Sequence, residues 1–287
     1  MVTIMNKNFI LSAFADEAAE DLQGQIDAML ANGVSMLELR GIDGKNVATI
    51  SKDDARKIRG ELDRNGLKVW AIGSPSGKIE LTDDFAPHLD SFKHMIELAG
   101  ILGASSYRLF SFYGTDGSTA ARDTVMERLS SFCEAAKGSG ITLCHENEKD
   151  IYGESAASCL DIHRTLPELR AVFDPANFIQ SGQETIPAWD MLADYVEYLH
   201  IKDAKSDGAV VPAGYGDGNV GYIVGEYAKR GGKVLTMEPH LSVFKGLDEL
   251  EHGAKSEVGS FSYSSSRAAF DASIAALREL LAGGRQA

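Results

Sequence analysis

The chain has 287 residues, 44% of them apolar and 24% charged, with a formal net charge of −14. That balance excludes a disordered chain, and the length suits a single α/β barrel of about 250 residues, so one domain over 1–287 is expected. The acidity opposes binding to a nucleic-acid backbone. No basic stripe offsets it, since KDDARKIR (52–59) mixes both signs.

A membrane is not expected as a partner either, because the apolar part of MVTIMNKNFILSAFADE is only about six residues long, short of a signal segment and far short of a span. The three cysteines, Cys133, Cys144 and Cys159, are odd in number and lack CxxC spacing. A disulfide framework or a cysteine zinc site is therefore not indicated, and a reducing, cytoplasmic location is expected.

In chain order, short apolar runs predict eight strands: FILSAF (9–14), SMLELR (35–40), LKVWAIG (67–73), SSYRLF (105–110), ITLCHE (141–146), RAVFD (170–174), VEYLHIKD (196–203) and KVLTMEP (233–239). Between them, apolar residues at helical spacing predict helices over 22–33, 88–103, 124–140 and 158–166, and a closing helix over 266–284. Glycines precede several strands, in NGVSMLEL, NGLKVW, LGASSYRL, GSGITLC and RGGKVLT. These fit left-handed helix C-caps followed by short connections. Eight strand–helix alternations predict a (β/α)8 TIM barrel. An open doubly wound sheet is the rival, but no GxGxxG turn follows the first strand. The long connections, 74–86, 203–219 and 239–265, all follow strands, which gathers them on the face where barrel enzymes carry their chemistry.

Four polar side chains stand at the ends of four successive predicted strands: Glu146 in HENE, Asp174 in FDPAN, His200 in YLHIKD and Glu238 in MEPHL. They are 28, 26 and 38 residues apart. A βα unit takes roughly 30 residues, so each returns to the same rim one strand further round. Period-two alternation sets Val172 with Asp174, Tyr198 with His200 and Lys202, and Thr236 with Glu238. Three carboxylates and an imidazole make a hard donor set suited to one divalent ion, Mn²⁺, Mg²⁺ or Co²⁺, with Zn²⁺ admissible. Without a cation, three converging carboxylates would raise one another's pKa.

The segments HENE, FDPANF, HIKDAK with VVPAGYGDG, and MEPHL resemble the metal-site segments of the sugar phosphate isomerase/epimerase superfamily. These are the xylose isomerase-like barrels, to which apurinic endonucleases are related. The resemblance runs from SAFADE to the closing helix. It implies that Glu146, Asp174, His200 and Glu238 bind one divalent ion and that Glu146 and Glu238 face each other across a bound sugar and move protons. The implied activity is sugar or sugar phosphate isomerisation or epimerisation through an enediolate. Alternatives are a metal-dependent lyase acting on 3-oxo-glycosides and a non-catalytic metal- or sugar-binding barrel. The endonuclease branch carries a D-x-H pair shortly before a G-x-G segment. Counting back from Gly214 and Gly216, those positions hold Gly208 and Val210, which cannot bind metal through their side chains. The expected partner is thus a small-molecule sugar, with homo-oligomerisation left open.

Around these four, Lys202, Arg108, His240 and Glu17 are candidates for contacting substrate, each with a structural ion pair, an exposed loop or a turn as its plainer role. Asn177 stands where relatives often carry a substrate-contacting histidine, a departure from the ketohexose 3-epimerase pattern. His145 alternates away from Glu146 and is expected to pack. The loop SPSGK (74–78) and the aromatics Phe110, Phe112 and Tyr113 are further candidates for the pocket wall, and Trp70 and Trp189 for packing. GYGDGNV has the look of a phosphate cradle, but without a following Lys-Ser/Thr it is no P-loop, and a lid or helix cap is the better reading.

Overall fold

The structure is a computed structural model that describes residues 9–242 and 261–283. Eight parallel strands close into a barrel: β1 (Ile10–Ala13), β2 (Met36–Leu39), β3 (Lys68–Gly73), β4 (Ser106–Leu109), β5 (Thr142–Glu146), β6 (Arg170–Phe173), β7 (Val196–Ile201) and β8 (Val234–Met237). Each pairs with its sequence neighbours, and β8 closes on β1 with Thr236 beside Ser12. All eight fall on the runs expected to be strands, trimmed by a residue or two at most ends.

Among the described residues the α-helices are α1 (Leu22–Ala31), α2 (Lys52–Arg64), α3 (Phe85–Leu102), α4 (Thr119–Ala136), α5 (Ala156–Thr165), α6 (Pro175–Gln180), α7 (Thr185–Leu192), α8 (Val220–Lys229) and α9 (Ser266–Leu281). Side chains of Asp21, Ser51, Asp84, Ser118, Ser155 and Ser265 accept backbone N–H groups at the starts of α1 to α5 and α9. Each such cap contributes about 1 kcal/mol. Gly103 ends α3 in the left-handed conformation, where a Cβ would also run into Arg59. Among the described residues no helix is long and apolar enough to cross a membrane. The expected connection 239–265 and the last residue of the expected closing helix fall partly outside the described residues.

Alternation along the strands divides the interior. Leu37, Leu39, Tyr107, Leu143, Phe173, Leu199, Ile201, Leu235 and Met237 point outward into the main core beneath the helices. Ala71, Cys144, Val172, Tyr198 and Val234 point inward and, with Trp70, form a small apolar floor. A register shift between β2 and β3 leaves Trp70 as an extra residue, the geometry of a bulge that re-aims neighbouring side chains. Burying this much apolar surface supplies the main stabilisation. It also leaves the upper barrel free to hold charged groups that burial alone would reject.

Candidate active site

Above the floor, strand alternation brings Glu38 from β2 and Arg40 just after it, Arg108 from β4, Glu146 from β5, Asp174 just after β6, His200 from β7 and Lys202 just after it, and Glu238 just after β8 into one buried layer. Each is 5% exposed or less. Ligand atoms of Glu146, Asp174, His200 and Glu238 lie within 4.8 Å of one another. Atoms bonded to one ion at about 2.0–2.4 Å span about that distance. The four side chains expected to converge are therefore brought together, with His200 Nδ1 2.8 Å from Glu146 Oε1 and 3.2 Å from Glu238 Oε2.

The donor set passes a second test of fit. Glu146 Oε2, Asp174 Oδ2 and Glu238 Oε2 are buried and accept no well-directed hydrogen bond. Buried carboxylate oxygens are normally satisfied, so three such oxygens in one cluster are what a divalent cation would complete. Cations of the chain approach from outside: Arg108 Nη1 lies 3.2 Å from Glu146 Oε2, and Lys202 Nζ lies 3.0 Å from Asp174 Oδ2 and 3.5 Å from Glu238 Oε2.

The two glutamates are held differently. Glu146 receives Arg108 and the Asn177 side-chain amide at 3.3 Å. Glu238 Oε1 receives Arg40 Nη1 and His240 Nε2, each at 3.3 Å. Burial works against the charge on Glu238, but Lys202, His240 and His200 overcome it and hold its carboxyl well below the usual range. Burial pushes Asp174 up to about 6 in spite of Lys202. For His200 burial opposes protonation, yet Glu146 and Glu38 outweigh it and raise the imidazole well above its ordinary range.

The backbone around Asp174 is tied to β5. Asn147 donates its side-chain amide to the Asp174 carbonyl and accepts the Asp174 N–H, both at 2.9 Å. Asp174 Oδ1 accepts the Asn177 N–H at the start of α6, where Pro175 occupies the first turn. One carboxylate thus spends one oxygen on the helix and turns the other to the cluster. Asn177, the departure from the expected histidine, points at Glu146 and the Asn147 carbonyl.

Of the other candidates, Glu17 and His240 join the layer. Glu17 accepts Arg40 Nη2 at 3.1 Å and the His240 N–H at 2.7 Å. His240 is buried, not an exposed loop neighbour, and has a left-handed backbone (φ 45°). The loop 74–78 delivers Lys78 to a small, narrow cavity above the cluster, lined also by Glu148, Lys149 and Gln180. Lys78 pairs with Glu148 at 3.2 Å and stands over the Phe110 ring, while Arg108 lies over the same ring. Phe112 instead stacks with Phe132 in the outer core, away from the pocket. His145 packs outward against Ser111 and Gly153, as its alternation implied.

The GYGDGNV loop cradles an internal anion. The N–H groups of Gly214 and Gly216 donate to Asp203 Oδ2 and that of Gly218 to Oδ1. A Cβ on Gly216 would overlap that carboxylate. These donors are thus committed to anchoring the loop beside Lys202.

Sequence reasoning passed over Glu38, Arg40, Asp16 and Asn147, whereas Lys78 belongs to the SPSGK loop expected to line the pocket. A signal existed for the first two: charged residues at alternate positions in SMLELR, a strand otherwise apolar. Arg40 also pairs with Asp16 at 2.8 Å.

No curated protein matches the chain by sequence. Among solved structures, it is similar to the probable 3-DHS dehydratase AsbF involved in petrobactin synthesis of Bacillus anthracis, with 16% identity over 94% of this chain and 98% of that one and a TM-score of 0.71. It is similar to D-psicose 3-epimerase of Clostridium cellulolyticum H10, with 13% identity over 96% and 99% and a TM-score of 0.71. A xylose isomerase-like TIM barrel protein of Mycobacterium smegmatis, in complex with magnesium, shares 15% identity over 96% and 97% with a TM-score of 0.69. These likenesses establish the fold. Residues 26–257 match the family model described as xylose isomerase-like TIM barrel, and on that match the chain belongs to the xylose isomerase-like TIM barrel family.

Proposed function

We propose that the chain is a divalent-metal-dependent isomerase or epimerase of a sugar or sugar derivative, with Glu146, Asp174, His200 and Glu238 holding one Mn²⁺, Mg²⁺ or Co²⁺ ion. The observation that carries this reading is the approach of two glutamates, from strands three places apart around the barrel, to the same imidazole nitrogen, each backed by its own arginine. A bound divalent ion would polarise a substrate carbonyl and ease loss of the neighbouring C–H proton.

The chain's own groups divide the remaining work. Glu146 and Glu238 accept and return that proton. Arg108 and Asn177 orient the first, and Arg40 and His240 orient the second. Lys202 bridges Asp174 and Glu238 and carries a hydrogen-bond donor toward the cavity. Lys78, Lys149 and Gln180 supply polar contacts further out. Structural neighbours that include a sugar epimerase support this assignment of chemistry.

The test is incubation of purified protein and Mn²⁺ with free sugars, sugar phosphates and 3-oxo-glycosides in D₂O. Deuterium uptake at carbon without fragmentation is expected, and Glu146→Gln and Glu238→Gln each lower it by about 10²-fold or more. Release of an aglycone would replace this reading with elimination, and full turnover by either variant would remove the proton-transfer roles.

A further inference from the structure

One buried carboxylate of the layer contacts the proposed ligand set without belonging to it. Glu38, whose side chain is fully buried, places Oε2 3.1 Å from His200 Nε2, on the side of the ring opposite Glu146 and Glu238. Its other oxygen accepts the Tyr198 hydroxyl at 2.9 Å. Arg108 Nε stands 3.9 Å away, too far for a hydrogen bond. Phe14 and Tyr198 meet the His200 ring edge-on, at centroid distances of 5.3 and 5.5 Å. The imidazole is thus enclosed by aromatic walls and meets carboxylates at both nitrogens.

A neutral imidazole has one N–H and one lone pair. If Nδ1 donates its lone pair to an ion shared with Glu146, Asp174 and Glu238, the ring proton must sit on Nε2, where an acceptor is needed in a site closed to water. Glu38 is that acceptor, and Tyr198 keeps its carboxylate from rotating away. A carboxylate hydrogen-bonded to the distal nitrogen also makes the proximal nitrogen a stronger donor.

We propose that Glu38 is a positioning residue that locks His200 in the Nε2–H tautomer and aims its Nδ1 lone pair into the metal site. This rests on the metal-dependent reading of the same site. Three full-length variants separate the roles. Glu38→Leu removes the acceptor, Glu38→Gln keeps an acceptor oxygen without the charge, and Tyr198→Phe removes only the hydroxyl that steadies Glu38.

Mn²⁺ affinity is measured by titration calorimetry, with the metal-free melting temperature as a check on folding. The His200 ring nitrogens are followed by ¹⁵N NMR of the Zn²⁺-loaded protein. Glu38→Leu is expected to weaken Mn²⁺ binding by about tenfold to a hundredfold and to lose the slowly exchanging Nε2–H signal. Glu38→Gln should recover that signal and part of the affinity, and Tyr198→Phe should stay within about threefold of the unaltered protein. A folded Glu38→Leu variant that binds Mn²⁺ within twofold of the unaltered protein, or a metal-shifted Nε2 in the unaltered protein, overturns the proposal while leaving the metal site standing. An unaltered chain that binds no divalent ion overturns both.

Discussion

Acid should loosen the wall of the cavity through His88. This residue of α3 accepts the Gly77 N–H on Nε2 at 2.8 Å, and Gly77 precedes Lys78 in the loop that reaches the cavity. Accepting that bond requires a neutral ring. Burial, reinforced by Arg128 and opposed by Asp83, pulls the imidazole down to about 4. In the unfolded chain it titrates near 6.5. Between these values the unfolded state binds more protons, so stability falls as pH drops from about 6.5 and levels off near 4. A full shift of that size corresponds to about 3 kcal/mol. Because the ring is only half-buried, solvent screening leaves about 2 kcal/mol. The assay is thermal unfolding from pH 7.5 to 4.5 for the unaltered chain and for His88→Gln, whose amide oxygen can accept the same N–H without titrating. About three-quarters of the screened contribution, about 1.5 kcal/mol, falls within that window, so at about 2–4 °C per kcal/mol the unaltered chain should lose about 3–6 °C more than the variant. Two curves that stay parallel throughout would refute the reasoning, because the titration of all other groups is common to both.

Gly216→Ala sets a methyl group against the Asp203 carboxylate and the Ala204 carbonyl, and a loss of about 1–3 kcal/mol is expected from such overpacking. An unchanged melting temperature would show that the loop is not held as described. Mn²⁺ at about 100 times its dissociation constant should stabilise the unaltered protein by about 2.7 kcal/mol. Asp174→Asn, which keeps the helix cap on Oδ1 and removes the second carboxylate oxygen, should lose most of that gain in a thermal-shift titration. Equal shifts in both would place the ion elsewhere.

The strand–helix order was legible because it is written in local pattern: apolar runs at period two, helical spacing between them, and glycines such as Gly103 where a helix must turn back. The convergence of Glu146, Asp174, His200 and Glu238 was legible too, since a roughly constant βα length returns each strand end to one rim. Phe112 was less so, because an aromatic after a strand can turn toward the pocket or into the helix layer, and its left-handed backbone (φ 68°) sends it to Phe132. His240 likewise gave no sign in its local context that it would be buried beside Glu17, 223 residues away.

Sequence by itself therefore determined the barrel, the rim and the chemical type of the candidate ligands, because these depend on periodicity and on donor chemistry. The tertiary structure decided which charge meets which. Glu38 and Arg40 are ordinary charges in a short strand until barrel closure sets one against His200 and the other against Glu238. Such pairings depend on strand register and side-chain reach across the interior, which no local stretch of chain encodes.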